Sequence, residues 1–282
     1  MTTAVQTDDT DLLRALLSAA HTRDLPALRA ALAAGADVDG ADERGWTAVL
    51  VATLQAFREG VEVLLASGAD PGSTLVEGRF GALHHVIQYT KDRPLDYKVT
   101  VVRDGREVVL TGRDEIRAEI GSHPDDTYDD CVAIAAMLID AGIDVDQATS
   151  HGQTPLSHAA SRGTAEITRL LLATGRVALD SHDQDGLTPL HYASRHGFVE
   201  PVELLLAAGA DPGSRENFGF TPLHEAAENG HAEVARALLA AGADPRAGLT
   251  KAFGDVPAGT TAHGLATVQG HAAVAALLER TV

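Results

Sequence analysis

Residues Thr188–Pro212 read TPLHYASRHGFVEPVELLLAAGADP. A threonine followed by proline is a helix start, because the hydroxyl can accept a bond from the first turn and the proline ring presets the backbone angle needed there. Gly197 closes that helix. A second helix follows, with leucines at i, i+3 and i+4, and GADP then turns the chain outward. The pattern returns at Thr154 (TPLSHAASRGTAEITRLLLATG) and Thr221 (TPLHEAAENGHAEVARALLAAGADP), with starts 34 and 33 residues apart. Weaker copies begin at Thr47 (TAVLVATLQAFREGVEVLLASGADP), Gly81 (GALHHVIQY) and Thr261 (TAHGLATVQGHAAVAALLE). The segment from Asp11 to Asp39 carries the helices without the TPLH part, as an end repeat would. No single copy can bury its apolar face alone, so the copies must stack.

Each copy resembles an ankyrin repeat, whose TPLHxA signature and period of roughly 33 residues are specific to that family. The resemblance implies an all-α fold, a solenoid of about seven helix-turn-helix units, with first helices and finger loops on the concave side. It covers almost all of residues 1–282, read as one ankyrin-repeat domain. The histidines of the signature, His191 and His224, are implied to hold the turn by hydrogen bonding, and His84 takes the same place. His231 and His271 occupy the turn between the two helices.

The third TPLH-type repeat departs from the period. Between its first helix (82–89) and its second (about 128–139) it holds an insertion at 91–127. Within it KVTVVRDGREVVLTG, Lys98 to Gly112, alternates Val99, Val101, Val108 and Leu110 with polar residues around Asp104-Gly105, the pattern of a β-hairpin. TGRDEIRAEIG then reads as a short helix with Thr111 and Asp114 at its start. An isolated hairpin is marginal in water, so it should pack on something. One expectation is a flap roofing the concave groove; the other is packing on an edge of the stack. The last finger, with the run LTKAFGDVPAG from Leu249, is also lengthened, by about seven residues against the period.

Composition excludes several classes. A formal charge of −18 without a cluster of lysine and arginine argues against nucleic acid and anionic membranes. No stretch approaches the roughly 20 apolar residues of a bilayer span, and the start MTTAVQTDDTD has no signal-peptide pattern, so a cytoplasmic protein is expected. A single cysteine, Cys131 in CVAIAAML, allows no internal disulfide and reads as a buried bystander. Adjacent His84 and His85 point about 100° apart on a helix, no HExxH or phosphate-cradling glycine motif occurs, and no metal or cofactor is expected. DDTYDD, Asp125 to Asp130, is explained by acidic residues at a helix start.

The candidate site lies on the first helices. The residue after the TPLH motif is His85, His158, Tyr192 or Glu225 in successive repeats, a polar ladder between Val51 and Leu265. Gln88, Tyr89, Arg162 and Arg195 stand a turn further on. Trp46, Phe80, Leu187 and Phe220 precede the motif and are expected to line the finger wall. Two functions suit this arrangement. The leading one is a non-catalytic adaptor that binds a protein partner in the groove beneath the flap, acting as a monomer. The alternative is a cofactor-independent acid–base enzyme, a dehydratase, isomerase or cyclase acting on an apolar small molecule in a flap-covered pocket. There His85 or His158 would remove a proton and Tyr192 or Glu225 supply one. The alanine- and arginine-rich, lysine-poor composition resembles that of a GC-rich bacterium, where such an enzyme would sit in a biosynthetic pathway.

Overall fold

The computed structural model describes residues 9–72, 81–89, 99–103, 106–110 and 124–281. The chain divides into two compact halves, Met1–Ile143 and Asp144–Val282.

In the N-terminal half, α1 (Asp9–Thr22) and α2 (Leu25–Ala33) form the first helix pair, and α3 (Ala48–Leu54) and α4 (Arg58–Ala66) the second. The third pair is α5 (Ala82–Tyr89) and α6 (Pro124–Asp140), with β1 (Val99–Arg103) and β2 (Arg106–Leu110) between them. Each first helix packs on the next, α1 on α3 and α3 on α5, and each pair packs internally. The strands pair antiparallel with Val99 opposite Leu110 and Val101 opposite Val108. Helix α6 begins four residues before its expected start, because Pro124 suits a first turn and the acidic positions after it favour the positive end of the helix dipole. The expected flap and the short helix at Thr111 and Asp114 fall on residues of 91–127 that, apart from the strands and the first turn of α6, lie outside the described residues. Phe80 lies outside them as well. Cys131 is buried, and burial followed by the charge of Asp130 pushes its thiol up to about 11, which leaves it protonated and inert.

The C-terminal half contains four helix pairs: α7 (Pro155–Arg162) and α8 (Ala165–Ala173), α9 (Pro189–His196) and α10 (Val199–Ala208), α11 (Pro222–Glu228) and α12 (Ala232–Ala240), α13 (Ala262–Val268) and α14 (Ala272–Glu279). First helices stack in the order α7, α9, α11, α13, and second helices in the order α8, α10, α12, α14. Leu156, Leu190, Leu223 and Leu265 form the seam of the first row, and Leu171, Leu205, Leu238 and Leu278 that of the second, each at most 1 % exposed. Full burial of a leucine stabilises by about 1.5–3 kcal/mol, so these two rows supply the main cohesion between repeats.

The caps follow the sequence pattern. Thr154 accepts from the Ser157 N–H at 3.2 Å, and Thr188 caps α9 with His191 completing a capping box. In the C-terminal half the second helices have no side-chain cap bond, and in α12 and α14 the histidine at the cap position reaches backward instead. His231 donates from Nε2 to the Arg195 carbonyl at 3.0 Å, and His271 to the Glu228 carbonyl at 2.9 Å, both in the preceding repeat. Gly197, at φ +76°, is required for two reasons: its backbone is left-handed, and an added Cβ would lie 2.5 Å from the His231 ring.

Candidate functional site

Four of the fingers that flank the first helices share one local device. Five residues before the capping threonines Thr47, Thr154, Thr188 and Thr221 stands an oxygen-bearing side chain: Asp42, Thr149, Asp183 or Glu216. Asp183 Oδ1 accepts from the backbone N–H of Asp185 (3.0 Å) and Leu187 (2.9 Å), and the Asp183 N–H donates to the Leu187 carbonyl (3.1 Å). Asp42 makes the same bonds with Arg44 and Trp46, Thr149 with His151 and Gln153, and Glu216 with Phe218 and Phe220. Each finger is therefore closed on itself before it meets a neighbour. In the C-terminal half the neighbours are then joined, since the Gln184 N–H donates to the His151 carbonyl, Asn217 to Asp185 and Thr250 to Phe218.

His191 and His224 tie this ladder to the helices. The Thr188 N–H donates to His191 Nδ1 at 3.2 Å, so the ring proton lies on Nε2, which donates to the Phe220 carbonyl of the next finger at 3.0 Å. His224 repeats the arrangement with Thr221 and, at 3.3 Å, the Thr260 carbonyl. Burial lowers the pKa of both, that of His224 to about 4, so both rings are neutral at ordinary pH.

Of the ladder residues, His85 belongs to the N-terminal half, where burial lowers its pKa. Gln88 is exposed at the end of the same helix, Tyr89 closes that helix with its side chain outside the described set, and Trp46 is half-buried on its finger. His158, Tyr192 and Glu225 belong to the C-terminal half. His158 is buried, and Arg162 is half-buried one turn on. Tyr192 sends its hydroxyl to the finger: it donates to Asp183 Oδ2 at 2.5 Å and accepts from Gln153 Nε2 at 2.6 Å. Burial, then the bond to Asp183, raises its pKa well above the ordinary phenol value, with Gln153 opposing. Glu225 is 2 % exposed and lies in a two-pronged pair with Arg195, Nε to Oε2 and Nη2 to Oε1, both at 2.8 Å. The bond to Glu225 raises the pKa of Arg195, burial opposing. Burial and the nearby Glu225 charge raise the pKa of Glu228, with Arg195 opposing.

Two expected wall residues are placed differently from the sequence reading. Leu187 and Phe220 are 5 % and 4 % exposed, because the closed finger folds them under its own turn, and Phe220 joins a core with Leu249 and Leu265. They hold the fingers and leave little surface for a ligand. Gln153 and Asp183, which are not among the sequence candidates, fix Tyr192 instead. Their signal was present in the oxygen-bearing residue five before four of the capping threonines and in a glutamine where other fingers carry Trp46, Leu187 and Phe220. A pocket of about 310 Å³ opens in this half between Pro245, Arg246, Thr261, His263 and Glu279, and its lining includes no ladder residue.

A family model described as ankyrin repeats (3 copies) matches residues 127–216 and 202–282, together more than half of the sequence. The chain is an ankyrin-repeat protein. Among curated proteins, this ankyrin-repeat chain is similar to the mitochondrial disaggregase of Bos taurus, 29 % identical over 168 residues, and to that of Homo sapiens, 28 % identical over 184 residues. Each likeness covers 56 % of the ankyrin-repeat chain but only 22 % and 25 % of the respective relative. The chain thus spans about a quarter of the length of the curated relatives it matches. Among the described residues no helix is long and apolar enough to cross a membrane.

Proposed function

We propose that this ankyrin-repeat protein is a non-catalytic adaptor that recognises a polypeptide partner across the first helices and fingers of residues 144–282. The observation that carries this reading is the pairing of its polar ladder: Tyr192 with Asp183 and Gln153, and Glu225 with Arg195. These bonds fix the side chains beside the fingers before any ligand arrives, which lowers the ordering cost of binding. The rival acid–base reading asks the same groups for different behaviour. Tyr192 would have to release a proton that it already donates in a hydrogen bond to Asp183, from a hydroxyl whose pKa lies above the phenol range. Glu225 would have to exchange a proton while both its oxygens accept from a guanidinium. Ankyrin repeats usually mediate protein interactions, and the inference from fold to binding rests on that association. The likeness to part of the mitochondrial disaggregases is compatible with polypeptide binding and transfers no activity. The insertion at 91–127 is assigned on this reading to partner selection.

The test pairs two measurements on the full chain. Photo-crosslinking from the exposed finger position Asn217, followed by mass spectrometry, should yield one polypeptide in near-stoichiometric amount, and incubation with a metabolite extract should leave every small molecule unchanged. Conversion of a metabolite that is lost in Glu225→Gln at unchanged stability would refute the adaptor reading.

A further inference from the structure

Two of the three exposed large hydrophobic residues among those described lie against each other on adjacent fingertips. Phe218 is 38 % exposed and Phe253 45 %, with ring centroids 5.1 Å apart in an edge-to-face contact. The position of Phe218, three before the capping threonine, carries Arg44, His151 and Asp185 in the other fingers of this pattern, as solvent would select. The next finger is the lengthened one. Its backbone runs as a narrow hairpin, with Leu249 donating to the Thr260 carbonyl and Phe253 and Val256 bonding each other across a tight turn at Gly254 and Asp255. Thr250 and Lys251 both donate to the Phe218 carbonyl, which locks this hairpin beside the Phe218 finger. Phe253 also stands edge-on to Phe220, centroids 5.5 Å apart, so its inner side touches one member of the small core of Phe220, Leu249 and Leu265, against which Val256 packs. Core packing accounts for that inner side. It does not account for the outer side of Phe253 or for Phe218.

Charge around the pair decides the occupant. Asp185, on the finger whose carbonyl receives the Asn217 N–H, and Asp255, two residues after Phe253, are both exposed. Lys251 is exposed nearby, whereas Arg215 directs Nη1 to the Gly219 and Gly248 carbonyls at 3.1 and 2.9 Å and so braces the two fingers. Exposed aromatic faces attract guanidinium and ammonium groups, and flanking carboxylates hold them in place. A chain carrying −18 overall draws a basic segment toward this surface at long range.

We propose that the Phe218–Phe253 fingertip pair anchors a basic polypeptide segment in which arginine or lysine alternates with apolar side chains. The cation lies over a ring and reaches Asp185 or Asp255, while the apolar neighbour covers the exposed edge of Phe253. This deepens, and rests on, the adaptor reading above.

Fluorescently labelled peptides of equal length, alternating Arg/Leu, Glu/Leu or Arg/Ser, are titrated against the full chain and its variants. Arg/Leu should bind the unmodified protein, Arg/Ser several-fold more weakly and Glu/Leu not measurably. Phe218→Ser and Phe253→Ser should each weaken Arg/Leu binding by about tenfold or more. Because Phe253→Ser also disturbs the small core, Asp185→Lys and Asp255→Lys serve as surface variants that spare it; they should weaken binding several-fold at low salt, with unfolding midpoints unchanged. Absent binding of Arg/Leu, equal binding of Glu/Leu, or full binding by all four variants overturns the proposal. If the fingertip variants bind fully while Arg195→Ala does not, the adaptor reading stands and only its fingertip assignment falls. If crosslinking captures no polypeptide on the intact chain, both fall together.

Discussion

Ser194 is fully buried on α9, and its hydroxyl finds no hydrogen-bond partner among the described residues. The equivalent positions in neighbouring repeats are Ala160 and Ala227, both fully buried. A buried hydroxyl without a partner keeps its desolvation cost, and alanine is the better helix former, so Ser194→Ala should stabilise the protein by about 1 kcal/mol in urea unfolding. A destabilised variant would mean that the hydroxyl has a partner. His191 and His224 make the opposite case, since their polar atoms are satisfied and their cost appears only with pH. Burial lowers the pKa of both in the folded state, whereas in the unfolded chain each titrates near 6.5. Below that pH the unfolded chain binds more protons than the folded one, so stability falls as pH falls. Above it both states are neutral and the contribution is complete. For His224, with a folded value of about 4, the loss accumulates between about pH 6.5 and 4 and reaches roughly 3 kcal/mol. Replacing His224 by Gln, which lowers overall stability, should also flatten the unfolding midpoint across that window; an unchanged slope would show that the acid sensitivity comes from elsewhere.

Between elements, cohesion comes from the leucine rows and from turns that reach into the preceding repeat. Gly197→Ala would force a left-handed alanine, costing about 1–2 kcal/mol, and press its Cβ on the His231 ring. The expected total is about 2–3 kcal/mol. His231→Ala alone loses the bond to the Arg195 carbonyl, and combining the two should cost less than the sum of their separate effects, because the clash is gone. Strict additivity in a double-mutant cycle would mean that this turn does not couple the repeats. Repeat spacing, capping threonines and closing glycines were legible in the sequence because each is local, decided within a few residues. Tyr192 was legible as a first-helix polar residue but its partners were not, since Gln153 lies 39 residues away and meets it only when the fingers align. The place of Leu187 and Phe220 before TPLH suggests a wall, whereas their burial depends on Asp183 and Glu216 closing the turn. The lengthened last finger was visible only as extra residues. That it turns Phe253 against Phe218 follows from the hydrogen bonds of Thr250 and Lys251, which no periodicity encodes.

At the scale of the whole molecule, 40 acidic against 22 basic residues give the folded chain a self-repulsion that the unfolded chain relieves by expanding. The one buried carboxylate of the ladder, Glu225, has its own guanidinium and adds little to that repulsion, so most of it comes from exposed groups that salt screens. Raising ionic strength from about 0.02 M to 0.3 M shortens the screening length to well under 10 Å. Folding should gain, with a higher urea midpoint at the higher salt. Binding of the Arg/Leu peptide should lose, because the field that draws a basic segment toward Asp185 and Asp255 is screened by the same ions. The two responses have opposite signs and one cause, which separates them from general salting-out: an excluded salt would strengthen both folding and apolar contact. Sodium chloride, weakly excluded, is therefore the salt to use, with unfolding followed by circular dichroism and binding by fluorescence anisotropy on the same samples. If binding tightens with salt, the acidic surface is not what recruits the partner, and the fingertip pair acts through apolar contact alone.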